Sequence, residues 1–196
     1  GLTRSWNKGL NLANELNLDY VIAGNNDILF TTCWYEGLLQ ALENGYELVG
    51  PLSNAPGTTS RGHADVFRYV PDYQLTDDAT YLNNLARQLK SRYSGTVVPV
   101  GINGFFMLAK NKVWQAGRYD AESVFRPSNT HNSQGYKNLT PLMTLNEDEL
   151  QGRWTKMGWK SAVVPSSFIF HYRAVSREGK HRKGKWFRLT NPAQDV

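Results

Sequence analysis

Short apolar runs alternate with helical segments along most of this chain, and that alternation confines it to a layered α/β fold. A helix is expected over residues 5–17, where Trp6, Leu10, Ala13 and Leu16 recur at helical spacing behind Ser5 as N-cap. The run 20–24 (YVIAG) then has the character of a buried parallel strand. A second helix over 34–44 closes on Asn44-Gly45, and 47–50 forms another short strand before the turn-rich stretch 51–62. Residues 77–93 read as an amphipathic helix through Leu82, Leu85, Ala86, Leu89 and Tyr93. A strand over 104–109, helices over 110–116 and 147–157, a strand over 160–165 and an extended piece over 167–172 complete the series. Residues 120–146, rich in Ser, Asn, Thr, Gly and Pro, read as a long loop of the kind that often binds or covers a ligand. No repeat or composition break divides the chain, so one domain is expected over 1–176, followed by a basic tail over 177–196.

Composition narrows the function classes. A 40% hydrophobic share over 196 residues excludes a disordered chain. No apolar stretch approaches the ~18 residues of a spanning helix. The start GLTRSWNKGL has no charged-then-apolar leader pattern, and the single Cys33 admits no internal disulfide, so a cytoplasmic location is expected. Residues 171–196 hold seven Lys/Arg against two acids and account for the whole formal charge of +5, leaving 1–170 neutral. A neutral body argues against a broad nucleic-acid-binding face. The tail itself suits a solvated end, a clamp over a polyphosphate, or contact with an anionic surface or nucleic acid.

Three groups carry chemical potential. Asn25-Asn26-Asp27 follows an apolar strand, and ligands of open α/β sheets lie beyond such strand ends. A carboxylate beside amide oxygens suits Mg2+ or Mn2+, although Asn and Asp also favour plain turns. Asn146-Glu147-Asp148-Glu149 opens a helix: these acids complement the helix dipole, or one of them serves as a general base. His171 ends an apolar run, either as a structural histidine or as a metal ligand that meets Asp27 if the two strand ends converge. Cys33 has no partner pattern of a nucleophile. The chain has no Gly-rich phosphate loop, zinc spacing or nucleophile-elbow serine, which moves dehydrogenases, nucleotide triphosphatases and serine hydrolases out of first place.

Taken in order, the segments SWNKGLNLA (5–13), DYVI…NND (19–27), VGPLSN (49–54), GFFML…GRYD (104–120), Glu147-Asp148 with Gly158-Trp159, and Val164-Pro165 with His171 and Ser176 resemble the family 2 glycosyltransferases. The resemblance covers about residues 5–177. It implies a GT-A-like, Rossmann-like mixed sheet flanked by helices. It also implies an inverting transfer from a UDP- or GDP-sugar to a glycan or other hydroxyl acceptor, with Mn2+ or Mg2+ as cofactor. By the same resemblance Asp27 and His171 are the metal ligands. Asn7, Asn25, Asn26, Arg173 and Arg177 stand on the donor side. Asp148 is the base when the helix is aligned on its acidic pair; aligned on Gly158, Glu147 takes that place. The family places about two further strands, which read the nucleotide base, ahead of the region where this sequence begins. The expectation is therefore an N-terminally truncated GT-A domain with an exposed sheet edge that pairs two copies. The competing expectation is a non-catalytic carbohydrate- or polyanion-binding module that uses the basic tail.

Overall fold

The structure, a computed structural model, describes residues 2–56, 59–126 and 146–172. In chain order the elements are α1 (Leu2–Glu15), β1 (Tyr20–Gly24), β2 (Ile28–Phe30), α2 (Glu36–Glu43), β3 (Leu48–Leu52), and two 3-10 turns, Thr59–Ala64 and Val66–Arg68. Then come α3 (Ala79–Tyr93), β4 (Phe106–Lys110), α4 (Asn111–Ala116), α5 (Asn146–Lys156) and β5 (Ser161–His171). The five strands form one mixed sheet in the order β1-β4-β3-β5-β2, in which only β3 and β5 run parallel.

Both faces of this sheet carry apolar cores, which explains the unbroken apolar runs. Met107, Ala109, Val163, Phe168 and Phe170 point to one face and meet Leu10, Leu82, Leu85, Leu89, Trp114, Leu150 and Trp154 from α1, α3, α4 and α5. Phe106, Leu108, Val164 and Ile169 point to the other and meet Leu38, Ala41 and Leu42 of α2. The period-two alternation of strand side chains thus feeds two helix layers in turn. This α/β layering agrees with the sequence expectation in its coarse form.

Particular elements depart from that expectation. β1 is an edge strand paired antiparallel to β4, not a buried parallel strand. Its apolar run arises because Val21 and Ile22 pack against opposite cores; the run reports coverage of both faces and says nothing of pairing direction. Helix α1 begins at Leu2, so Ser5 lies inside the helix rather than capping it. The stripe that faces the core is Thr3, Asn7, Leu10 and Ala13, while Leu16 lies past the last turn and is 61% exposed. Helix α2 starts at Glu36 because the preceding turn places Cys33 at φ +59; it stops at Asn44, and Gly45 continues at φ +88, a conformation glycine adopts without strain.

The two extended pieces expected at 160–165 and 167–172 are one strand. Its register against β3 jumps from Pro51↔Val164 to Leu52↔Phe168, so Pro165, Ser166 and Ser167 bulge out of the ladder. Proline has no amide hydrogen to contribute there, and a bulge is where a strand accommodates it. Most of the expected loop 120–146 lies outside the described residues, as does the tail 177–196. Among the described residues no helix is long and apolar enough to cross a membrane.

Candidate functional site

The C-terminal ends of β1, β3 and β5 meet at one margin of the sheet, together with the start of β4. β1 hands over to β2 through Asn25, Asn26 and Asp27, and β2 pairs with the end of β5 in the register Ile28↔His171. Two backbone bonds tie this corner: Asn25 donates its N–H to the Phe105 carbonyl at 2.9 Å, and Tyr172 donates to the Asp27 carbonyl at 2.8 Å. The expected convergence of Asp27 and His171 is therefore met by strand pairing.

The imidazole of His171 is 6% exposed and constrained on every side. Its backbone N–H donates to Asn54 Oδ1 at 2.8 Å, and Asn54 Nδ2 donates to the His171 carbonyl at 3.1 Å. Phe105 stacks on the ring at 5.1 Å and 16° between planes. Nδ1 lies 2.7 Å from the Ala55 carbonyl, which only accepts, so Nδ1 carries a hydrogen and donates it. Nε2 faces Asn25 Nδ2 at 3.2 Å and Asp27 Oδ1 at 3.3 Å. With Nδ1 donating, Nε2 of the neutral ring is an acceptor: Asn25 Nδ2 is a donor within reach of it, and the Asp27 carboxylate stands beside both. Among the described residues no third His, Cys, Asp or Glu joins the two.

The carboxylates of α5 are sorted by a single anchor. Gln151 accepts from the Ile102 N–H at 2.7 Å and donates to the Ile102 carbonyl at 2.9 Å, while Leu150 and Trp154 are buried beneath the helix. Glu147 lies one turn ahead of Gln151 on the same helix face, and so it falls against the segment just after Ile102. A Cβ on Gly104 would come within 2.8 Å of the Glu147 carboxyl carbon, so glycine is what admits that carboxylate there. Gly104 immediately precedes Phe105, the residue stacked on His171. Asp148, expected as the base, is exposed, and Glu149 is engaged by Arg153 at 3.1 Å.

The remaining expected residues separate. Asn25 joins the His171–Asp27 pair, whereas Asn26 is exposed. Asn7 holds the chain beyond Gly117: its Oδ1 accepts from the Val124 and Phe125 N–H groups at 3.0 and 2.8 Å, and its Nδ2 donates to the Phe125 carbonyl at 2.9 Å. With its amide used in this way, Asn7 clamps the chain at Val124 and Phe125. Arg173 and Arg177 lie outside the described residues. Sequence reasoning missed Ala55, Phe105 and Gln151 as site-builders; the i,i+4 spacing of Glu147 and Gln151 was the one signal pointing to the last.

Compared with protein-family models, curated proteins and solved structures, the chain matches none.

The seat of Glu147 has a direct test. Gly104→Ala is expected to push the carboxylate out while leaving the fold intact, because a flexible Glu end can swing away at little cost. We expect a melting temperature within a few degrees of the parent, with NMR shift changes confined to the surroundings of Glu147 and residues 102–105; a fall of more than about 10 °C would show that the carboxylate cannot leave this seat at little cost.

Proposed function

We propose that this protein is a metal-dependent glycosyltransferase of the family 2, GT-A type, moving a sugar from a UDP- or GDP-sugar onto a hydroxyl of a glycan or other acceptor with inversion. The observation that carries this reading is the Asp27–His171 pair, with Nδ1 bound to a carbonyl and Nε2 turned to the carboxylate. An imidazole whose second nitrogen donates to a backbone carbonyl is the usual arrangement of a metal-ligating histidine. Together with a carboxylate oxygen it is a donor pair of the kind that would hold Mn2+ or Mg2+.

In this reading Asp27 Oδ1 and His171 Nε2 hold the ion, while Ala55 fixes the imidazole tautomer and Phe105 its plane. When bound, the divalent ion supplies Lewis-acid stabilisation of the departing diphosphate. Glu147, or Asp148 beside it, takes the proton of the acceptor hydroxyl. The hydroxyl oxygen bonds to the anomeric carbon as the bond to the nucleoside diphosphate breaks on the opposite face, which inverts that centre. The test is a screen of UDP- and GDP-sugars with and without Mn2+, read as release of nucleoside diphosphate. Metal-dependent release that doubles with an added acceptor series supports the reading. Binding of saccharides or polyanions with no release in any arm favours the non-catalytic module instead.

Self-association belongs to the same proposal. β1 stands at a sheet edge, and Leu12, Leu16, Leu18 and Tyr20 near it are 53%, 61%, 47% and 37% exposed. An open edge with adjoining apolar side chains favours pairing between copies. Light scattering is expected to give a dimer mass that reverts to a monomer in Leu16→Glu; a monomer for the parent chain at all concentrations would refute it.

A further inference from the structure

We infer that the protein carries a second, neutral-saccharide site in a cleft of about 440 Å3 between the chain just after the second 3-10 turn and the last turn of α3. The cleft shares no lining residue with the Asp27–His171 corner, and the inference stands whether or not the glycosyltransferase reading holds. Its size is within the range of about 300–1,000 Å3 typical of small-molecule sites.

The lining has the two halves that a sugar ring requires. Tyr69 and Tyr93 meet edge to face at 5.4 Å between ring centres, both half-buried over the core residue Leu89. Burial pushes the Tyr69 phenol up from its ordinary value, so it remains an uncharged donor and acceptor. Around these rings stand Asp72, Gln88, Ser91 and Arg92, with the Arg92 guanidinium 5.4 Å above the Tyr93 ring. None of these four side chains, nor either phenol, is hydrogen-bonded or ion-paired to another described residue. Among the described residues the fold thus uses these six polar groups, set about two perpendicular aromatic rings, only through ring contacts and the Arg92–Tyr93 cation–π pair, and leaves their hydrogen-bonding capacity open.

The chemistry of the set selects among ligands. Asp72 and Arg92 cancel in charge, so an anion meets a carboxylate as well as a guanidinium and gains little. A pyranose offers an apolar C–H face to the tyrosines and a ring of hydroxyls, each able to donate and accept. Donor-only, acceptor-only and mixed groups in one cleft match that pattern.

The experiment uses the full chain, titrated separately with maltotetraose, cellotetraose and chitotetraose by calorimetry and by 15N–1H NMR. We expect saturable, salt-insensitive, millimolar binding of at least one, with shift changes centred on 69–72 and 88–93. Tyr93→Ala and the exposed-site variant Arg92→Ala are each expected to weaken it about tenfold, the loss of one good aromatic or charged contact. Absence of saturable binding for all three would overturn the inference. So would binding indifferent to both variants, or shift changes in this cleft caused by inorganic phosphate or uridine and by none of the saccharides.

Discussion

Asp27→Asn is expected to reduce Mn2+ affinity at least about 100-fold and to abolish the proposed metal-dependent sugar transfer, because the substitution removes the carboxylate that stands 3.3 Å from His171 Nε2. A neutral amide oxygen is a poor substitute for a carboxylate toward a hard divalent ion. His171→Ala is expected to act in the same direction and to a similar degree, since it deletes the second ligand while leaving Asp27 in place. The two variants separate function from folding through a second measurement. Asp27 and His171 sit at a sheet margin whose bonds, from the Tyr172 N–H to the Asp27 carbonyl and from the His171 N–H to Asn54 Oδ1, do not use the Asp27 carboxylate, so Asp27→Asn retains them. Its melting temperature should therefore stay within a few degrees of the parent. Calorimetric titration of Mn2+ decides the matter. Equal affinity in parent, Asp27→Asn and His171→Ala would show that this corner does not bind metal, and the proposed activity would lose its principal support.

Trp114→Ala is expected to be strongly destabilising. Trp114 is fully buried, its rings lie 5.7 Å from Phe125 and 5.2 Å from Trp154, and its indole N–H donates to the Val21 carbonyl at 3.0 Å. Truncation leaves a large cavity and removes that hydrogen bond, together costing about 3–5 kcal/mol. Against a total stability of about 5–15 kcal/mol for a domain, that is a large share. For a chain of this length it corresponds to a fall of roughly 6–20 °C in melting temperature. Denaturant unfolding followed by circular dichroism measures it, and a loss under about 1 kcal/mol would show that the site collapses around the gap far better than its packing implies. The effect reaches the functional corner, because Trp154 belongs to α5 and its indole donates to the Gly117 carbonyl at 2.9 Å. Arg153 braces the same loop through bonds to the Gly117 and Val124 carbonyls. A loosened α5 no longer holds Glu147 against Gly104.

Much of the architecture was legible because local chemistry decided it. Leu82, Leu85, Ala86 and Leu89 marked α3, and all four are buried. Asn44-Gly45 marked the end of α2, and the strands at 20–24, 47–50 and 104–109 occur within two residues of their expected places. Failures came where a distant partner overrode local preference. Pro165 divides β5 in a sequence reading, yet β3 and β2 pair on either side of it and keep it one strand. Ser5 looked like a cap, but the buried stripe of α1 begins at Thr3 and carries the helix past it. The bonds of Asn7 to Val124 and Phe125, more than a hundred residues away, had no local signal at all.

The candidate site divides in the same way. By itself the sequence determined that an acid-and-amide triplet ends an apolar strand, that a histidine ends another, and that three acids open a helix. Side-chain type and local periodicity are written in consecutive residues, and nothing further is needed to read them. Which of those groups face each other was decided only by the tertiary structure. Strand register places His171 beside Asp27, the Ala55 carbonyl turns Nε2 inward, and the Gln151–Ile102 bonds bring Glu147 rather than Asp148 to Gly104. Each of these depends on pairs more than forty residues apart, and contacts at that range follow from how a whole sheet and its helices pack.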